Sequence, residues 1–578
     1  MYLYDSLHLA SNSLNAASLG MQVAGQNLAN AHVPGYVRET LHLQTQTSRK
    51  LGSGIVVGNG VSVAGVEQVI DKFLEERLRT STSDAMSSAT QEQYYTYLEA
   101  LLNETTAGDL SSSIKDFFNS IDNINNQPEN VTYREMAAEQ GKKLTEDINR
   151  LALAVMDMQV DVNKTMRSAA DEINKLLTTI NTLNKQITAV ESNGQQALGL
   201  RDQRLVALSE LSQYINIKTN ENPDNGQITI YCGSDILLSD GVQNNVVVGT
   251  KTGTGNIPQA ILCIRDVKSP LDVRSGSVFG LYEAHETILG GYLKNLDDFT
   301  SRLITKFNQV YSSGQGLSGY SHILSPVQIN NPDEPLNPAD LEQKIQNGSF
   351  IVQHYDTRTG ITTQTEIPIR VAEQVASNPF SLKPAPEPVG TSLDDVAAAI
   401  NAIENLSARV NLHGQLEITS QQPNIQFAFA DDSSGFLSAF GLNTFFTGTS
   451  AATVGVNQIV LNDGSKFAAS SNGVGNDNDN SVTLAAIGIE PDAMFNGKSA
   501  ADFYNGVVGS VMLSGNTVKS IAASDTLYQQ SLQTQRDSIS GVNIDEETIM
   551  MMMYQRTYQA NSRFIAMINT MLETLISL

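Results

Sequence analysis

The stretch NLANAHVPGY, residues 27–36, ends the first helix that this chain predicts. Before it, apolar or small residues recur at alternating steps of four and three, which is the spacing of a coiled-coil seam. The members of this N-terminal seam are Leu3, Leu7, Ala10, Leu14, Ala17, Met21, Ala24 and Leu28. We therefore expect the chain to open with a long helix that packs along one face.

The same ten residues predict how the helix stops. Asn30 stands where a residue in the left-handed conformation is expected to cap the helix. Pro34 and Gly35 suit the two central positions of a type II turn, because proline presets φ and glycine accepts a positive φ. Tyr36 would leave this turn in extended form, so the helix is expected to end in a defined turn.

The far end of the chain, SGVNIDEETIMMMMYQRTYQANSRFIAMINTMLETLISL, predicts a second heptad helix. Asn543 and Glu546 have the three-residue spacing of a capping box, and acidic neighbours favour the positive end of a helix. The predicted C-terminal seam is Met550, Met553, Thr557, Ala560, Phe564, Met567, Met571, Thr574 and Leu578. Two heptad helices at opposite ends of one chain are natural partners.

The sequence between these ends alternates in character. Residues 51–66, LGSGIVVGNGVSVAGV, predict a hairpin ribbon around Asn59-Gly60. Residues 70–214 are mostly helical in pattern and include LRDQRLVALSELSQY. Short apolar runs broken by turn signals then predict β-rich insertions, one of which contains a capped helix at TSLDDVAAAINAI.

The predicted fold class is a nested, multidomain α+β protein, since 578 residues exceed what one hydrophobic core organises. The N- and C-terminal helices pair as a coiled coil, and a long-helix bundle domain carries two inserted β-rich domains. The predicted parts are 1–40 with 541–578 (terminal helices), 41–216 with 273–313 and 481–540 (helical domain), 217–272 (β-rich insertion) and 314–480 (outer β-rich or α+β insertion).

Charge and hydropathy exclude several partners. A formal net charge of −25 without any run of Lys or Arg argues against nucleic acid. No apolar stretch is long enough for membrane insertion, and the first Lys or Arg is Arg38, so the N-terminus lacks the pattern of a cleavable signal peptide. Cys232 and Cys263 are expected to be small buried residues, with one disulfide left open.

No catalytic, cofactor-binding or metal-binding residue is assigned. The histidines are scattered without ligand spacing. In GNDNDNS, residues 475–481, oxygen-bearing residues alternate, but the glycine and glutamate of a calcium loop are absent from the required positions. A solvated loop that ends in a helix cap is the favoured interpretation.

Two signatures resemble a known family. NLANAHVPGYVRE is similar to the N-terminal signature of flagellar rod, hook and hook-associated proteins, with Asn27, Asn30, Pro34, Gly35 and Tyr36 as the turn motif. The C-terminal segment, together with LRDQRLVALSELSQYI, FGLNTFFTG and VGVN, resembles the hook-associated protein 1 family of hook-filament junction proteins. The family usually has Thr where this chain has Val33.

The resemblance implies a structural role without catalysis. It implies export through the flagellar type III apparatus, with a cytoplasmic chaperone bound to the C-terminal seam at Met550, Met553, Ala560, Phe564, Met567, Met571 and Leu578. Copies would form a ring at the hook-filament junction outside the cell, between hook protein and a second junction protein. Their paired end helices would line the inner tube, with the β insertions facing outward.

Two other classes stay open at this stage. Another axial subunit, such as hook protein, would share both ends, although the long helices favour a junction protein. A secreted adhesin or wall-active enzyme could use the outer domains, and a polarised catalytic constellation would distinguish the enzyme.

Overall fold

The computed structural model describes residues 2–51, 55–102, 109–192, 196–253, 257–339, 341, 343–372, 390–475 and 477–577. Contacts divide the chain into two compact units, each assembled from segments distant in sequence. The first unit is Met1–Tyr95, Gln159–Ile288 and Gly515–Leu578, and the second is Thr96–Met158 and Leu289–Ser514. The finer four-part division predicted from the sequence stays a prediction.

Long helices dominate the secondary structure, as the heptad and amphipathic patterns predict. The α-helices are α1 (Tyr2–Asn30), α2 (Lys72–Leu102), α3 (Leu110–Asn126), α4 (Val131–Glu191), α5 (Leu198–Tyr214), α6 (Ser277–Glu283), α7 (Gly290–Ser312), α8 (Leu393–Asn401), α9 (Phe436–Ala439), α10 (Gln458–Asn462), α11 (Asp479–Ala486), α12 (Ala500–Ser540) and α13 (Ile544–Ile576). A π-helical segment, Ala284–Leu289, lies between α6 and α7. Among the described helices, none combines the length and apolarity required to cross a bilayer.

The strands are short and fall in the ribbon and the two predicted insertions. They are β1 (Glu39–Thr45), β2 (Arg49–Leu51), β3 (Ile55–Val57), β4 (Val61–Gln68), β5 (Lys218–Glu221), β6 (Ile228–Cys232), β7 (Asp235–Ser239), β8 (Val242–Gln243), β9 (Val246–Lys251), β10 (Gln259–Ile264), β11 (His322–Leu324), β12 (Gly348–Asp356), β13 (Thr362–Ile369), β14 (Leu406–Val410), β15 (Leu416–Ser420), β16 (Ile425–Ala430), β17 (Phe446–Thr447) and β18 (Gly455–Val456).

The ribbon differs from its prediction in where it turns. β1 pairs with β4 and β2 pairs with β3, all antiparallel, so β3 and β4 are not partners across Asn59-Gly60. Gly60 has φ +87°, and its carbonyl accepts a hydrogen bond from the Gln46 amide at 3.0 Å. The Asn-Gly pair therefore marks a bend between two short pairings.

The first unit contains the terminal helices, the ribbon and the first insertion. Strands β5 to β8 form one antiparallel sheet in chain order, and β9 pairs with β10. Cys232 and Cys263 lie buried in these strands as free thiols. Burial raises the pKa of the Cys232 thiol to about 12, which keeps it protonated at neutral pH.

The second unit has an apolar core built from two three-stranded sheets, β11-β15-β14 and β13-β12-β16, with α8 and α9. Helix α8 begins with the predicted capping box. Ser392 Oγ accepts from the Asp395 amide at 3.1 Å, and the Asp395 carboxylate accepts from the Ser392 amide at 2.9 Å. Local cap chemistry and the apolar face of the helix thus agree.

Candidate functional site: the terminal helix pair and its turn

The turn after α1 has the predicted type II form. The Tyr36 amide donates to the Val33 carbonyl at 3.2 Å, and Gly35, at the third position, has φ +79°. A Cβ atom on Gly35 would lie 2.2 Å from Val206 Cγ2 on α5. Glycine is therefore required by both backbone conformation and space.

The predicted left-handed cap at Asn30 is wrong. Asn30 is the last residue of α1 and has no positive φ. Its carbonyl accepts from the Val33 amide at 2.9 Å, so a turn satisfies the end of the helix without a left-handed residue.

Asn27 ties the helix to the strand that follows the turn. Its side chain is fully buried. Asn27 Nδ2 donates to the Glu39 carbonyl at 2.8 Å, while Oδ1 accepts from the Glu39 amide at 3.0 Å and from the Tyr36 hydroxyl at 2.8 Å. One amide thereby satisfies both backbone groups of the first residue of β1.

A buried acidic group lies beside this turn. Asp202 on α5 accepts from Gln68 Nε2 at 2.6 Å and is 8% exposed. Burial, followed by the charge of Glu39, raises the pKa of Asp202 to about 7. Burial also raises the pKa values of Glu39 and of the Tyr36 hydroxyl. Burial beside the turn therefore disfavours the charged forms of Asp202, Glu39 and Tyr36.

An ion pair joins the two terminal signatures. Arg38, two residues after the turn, contacts the Glu547 carboxylate at 2.7 Å through Nε and the Glu546 carboxylate at 3.2 Å through a guanidinium nitrogen. Its backbone amide donates to the Ser540 carbonyl at 2.9 Å. Asn543 caps α13 as predicted, but the carboxylate of Glu546 pairs with Arg38. These contacts fix the start of α13 beside the end of α1.

The motif LRDQR in α5 is structural. Arg201 contacts Glu191 at 2.7 Å and Glu221 at 2.8 Å, and Arg204 contacts Glu221 at 3.1 Å. Since Asp202 faces the turn, the polar residues of this motif connect α5 to three neighbouring segments. This explains a polar cluster inside a predicted amphipathic helix.

The N-terminal seam packs in α1 largely as predicted. Ala10, Ala17 and Ala24 are buried. Leu7, Leu14, Met21 and Leu28 are half-buried. Leu3 lies within α1, but its side chain falls outside the described part of the structure. The buried face is wider than this seam, because Ala16, Gly20, Val23 and Asn27 are also buried.

Helix α13 carries two stripes, and the predicted seam is not the one that packs against α1. Most of its half-buried and buried positions form an inner stripe of Glu547, Met551, Tyr554, Tyr558, Asn561, Ile565, Ile568 and Leu572. Each predicted seam residue from Met550 to Met571 precedes one of these positions by one residue, about 100° around the helix.

The predicted residues thus form an outer stripe that is mostly exposed. Met550 is half-buried, whereas Met553, Thr557, Ala560, Phe564, Met567 and Met571 are exposed. The exposed fractions are 50% for Met553 and 56% for Met567. Leu578 lies outside the described residues. The prediction that α13 packs on α1 through this stripe is therefore wrong, because a different face of the helix is buried. The role of the outer stripe in assembly stays a prediction.

Sequence reasoning missed a close contact of the helix pair. A Cβ atom on Gly20 would lie 2.6 Å from the ring of Tyr554, so the two helices meet where α1 has no side chain. The heptad pattern did not select Gly20, Tyr554, Arg38, Glu547 or Asp202. The available signal was the second run of steps of four and three, one residue later in α13.

Two family models match parts of this chain. Residues 95–322 match the flagellar hook-associated protein FlgK helical domain, and residues 533–578 match the C-terminal region of the flagellar basal body rod FlgEFG proteins. These matches define the class as flagellar axial proteins.

Relatives resemble the chain along nearly its whole length. Flagellar hook-associated protein 1 of Escherichia coli K12 is 22% identical and aligned over 98% of both chains. The protein of the same name from Bacillus subtilis 168 is 21% identical over 99% of this chain and 98% of its own. The hook junction protein FlgK of Burkholderia pseudomallei superposes with a TM-score of 0.49 and 14% identity, covering 80% of this chain and 100% of its own.

The chain belongs to the flagellar hook-associated protein 1 family. It is a structural protein of the bacterial flagellum at the junction of hook and filament.

Proposed function

We propose that copies of this chain associate side by side through α1 and α13, and that this ring connects hook protein to a second junction protein and supports filament assembly. The observation that carries the proposal is the outer stripe of α13. It is heptad-spaced, mostly apolar and mostly exposed, although the same helix already packs on α1 through its inner stripe. A second apolar stripe on a paired helix favours a further helical partner.

The chemistry of the outer stripe suits a partner of the same kind. Met553, Met567 and Met571 are long and flexible, so they adapt to irregular packing. Phe564 supplies a large apolar group that is 39% exposed, and Ala560 permits close approach. In a ring, each copy would cover the outer stripe of its neighbour and remove this surface from water.

We further propose that the outer stripe is covered before assembly. An exposed apolar stripe on a helix favours association with unintended partners. A cytoplasmic export chaperone bound to this stripe would prevent such association, and release at the flagellar type III apparatus would free it for the ring. Secretion and the extracellular location are parts of this proposal.

We propose that this role requires no catalytic activity, cofactor or metal ion. The basis is the structural character of the family. Among the described residues, no group of three His, Cys, Asp or Glu side chains is arranged to hold a metal ion. The role needs surfaces that bind, and α1 and α13 provide them.

A deletion strain of the source bacterium tests the proposal. We expect hooks without filaments and flagellin monomer in the medium, with rescue by the full-length chain but not by a chain truncated at Gly541. Met567→Glu places a charge on the outer stripe, and Ala566→Glu places the same charge on an exposed position off the stripe.

Rescue is expected with Ala566→Glu and loss of filaments with Met567→Glu, both at unchanged chain levels in the cell. Normal filaments with Met567→Glu would refute assembly through the outer stripe. Filaments in the deletion strain itself would refute the junction role.

A further inference from the structure

The sheet β13-β12-β16 in the second unit has one apolar and one polar face. Phe350, Val352, Phe427 and Phe429 belong to the buried core. The opposite face carries Gln353, Tyr355, Thr362, Gln364 and Gln426, since Gln353 is opposite Gln364 and Tyr355 lies between Thr362 and Gln426 in the register. Strand alternation therefore collects five hydrogen-bonding side chains on one surface.

This polar face is the floor of a cleft of about 750 Å³. Residues 317–318 and 472–474 form further parts of its lining. The volume lies within the range of about 300–1,000 Å³ that small-ligand sites occupy. Its lining is richer in amide and hydroxyl groups than an ordinary apolar pocket, so the cleft suits a hydrophilic ligand.

Gln353 is the strongest sign of a ligand. Its side chain is 2% exposed, and its buried Oε1 has no hydrogen-bond partner among the described residues. Buried polar atoms are nearly always paired, and an unpaired one destabilises the fold. The terminal torsion of a glutamine, χ3, rotates easily. After such a rotation the Gln353 amide can pair with a hydroxyl group of a ligand in the cleft.

Tyr355 supplies a fixed aromatic surface in the same lining. Its hydroxyl accepts from the Gly319 amide at 2.8 Å and donates to Gln426 Oε1. With the polar tip held in this way, the ring offers an apolar body to a ligand. A pyranose ring has the complementary character, because its hydroxyl edge and its C–H face are distinct.

The described lining of the cleft holds no cationic side chain that would attract an anion, and its carboxylate, Asp356, lies 3.9 Å from the Arg358 guanidinium. Asp356 is the carboxylate among its described lining residues, and hydrogen bonds from Asn424 and the Arg358 amide lower its pKa. The lining has no Lys or Arg among the residues described there. Lys466 is not among the lining residues, and its ammonium group donates to Ser318 Oγ at 2.9 Å and to the Gly319 carbonyl.

We propose that this cleft binds a neutral carbohydrate. The proposal is independent of the junction role, because the residues of the cleft lie in the β-rich part of the second unit. It adds recognition of an external glycan to a structural subunit.

Saturation-transfer difference NMR on the purified full-length chain tests the proposal. The probes are D-glucose, D-galactose, D-mannose and N-acetylglucosamine, with D-glucuronate as the anionic comparison. We expect transfer to at least one neutral sugar and weaker transfer to glucuronate. Absence of transfer to all four neutral sugars, or stronger transfer to glucuronate, would overturn the proposal.

Variants then locate the binding. Gln353→Met should reduce transfer by about fivefold or more, since it removes the buried acceptor, yet should preserve or raise the thermal midpoint. Gln328→Met, an exposed glutamine outside the lining, should leave transfer unchanged. If Gln353→Met impairs folding, the exposed Gln364→Ala provides the same test. Equal transfer in the cleft variants and in Gln328→Met would refute the site.

Discussion

Asn27 shows how one side chain defines the path of the backbone. Its amide bonds both the N–H and the C=O of Glu39 and accepts the Tyr36 hydroxyl. The two bonds to Glu39 are buried, and the bond to Tyr36 is partly buried. The turn is therefore held from inside by α1, in addition to its own Pro-Gly geometry.

Asn27→Ala should lower the thermal midpoint of unfolding markedly. It leaves both backbone groups of Glu39 unpaired in a buried place and removes the acceptor of the half-buried Tyr36 hydroxyl. Each buried unpaired group typically costs about 1–3 kcal/mol. Asn15→Ala, at an exposed position of the same helix, should leave the midpoint unchanged or slightly raised. Scanning calorimetry compares the two variants, and equal midpoints would contradict the role assigned to Asn27.

Asp202 should make stability depend on pH. Its folded pKa of about 7 lies above the unfolded value, so the folded state binds more protons between about pH 4 and pH 7 and loses stability as pH rises through this range. Asp202→Asn should therefore have a higher midpoint than the parent at pH 8 and a similar one near pH 4.

Thermal melts at several pH values measure this difference. Asp224→Asn, which removes an exposed carboxylate, should keep the pH slope of the parent. If the thermal midpoints of the parent and of Asp202→Asn changed with pH in parallel, the pKa of Asp202 would not be raised in the folded state.

At the scale of elements, the pairing of α1 with α13 depends on a close approach. Gly20 leaves room for the ring of Tyr554, and the inner stripe of α13 continues this contact in both directions. Helices with small residues at their contact pack closely because the backbones can approach. The register of the pair follows from this fit.

Gly20→Ala tests the approach by a double-mutant cycle with Tyr554→Leu. In the parent, the added Cβ would meet the ring at 2.6 Å, so we expect a lower midpoint despite the better helix propensity of Ala. With Tyr554→Leu the ring is absent, and the same substitution should be neutral or stabilising by up to about 1 kcal/mol. Additive effects would place the two residues apart.

Arg38 joins the terminal signatures through two ion pairs, one with a buried carboxylate and one with an exposed carboxylate. The Glu547 side chain is 4% exposed and that of Glu546 is 57% exposed, although both contact Arg38. Glu547→Ala removes the buried partner of the partly exposed Arg38 guanidinium and should cost about 1.5–3 kcal/mol. Glu546→Ala should cost less than about 1 kcal/mol. Chemical denaturation of both variants measures the contrast, which equal losses would contradict.

At the scale of the whole molecule, the first and the last helix of the chain pack together in one unit. The first unit contains both terminal helices, α1 and α13, whereas the second has its own apolar core of sheets and helices. Loss of the last helix should therefore affect the two units differently.

Truncation at Gly541 should expose α1 to proteolysis and leave the β-rich core of residues 390–470 protected. Without α13, the half-buried leucines of α1 lose their cover, and local unfolding becomes easier. Mass spectrometry of limited digests identifies the cleavage sites. Protection of α1 in the truncated chain would show that α13 is not its main support.

The sequence by itself determined the elements and the turn of this protein. Heptad spacing marked α1 and α13, Pro34-Gly35 marked the type II turn, and turn signals marked both β insertions. The two signatures also led to the family. These features are local, because periodicity, capping and turn chemistry act over a few residues.

Tertiary structure alone decided which faces meet. Two stripes one residue apart both have heptad spacing in α13. Only the fit of Tyr554 over Gly20 and the pairing of Glu547 with Arg38 select the inner one. Likewise, Asn27 and Asp202 acquire their roles from groups brought together by the fold. Contacts between residues hundreds of positions apart depend on shape and burial, which local periodicity does not encode.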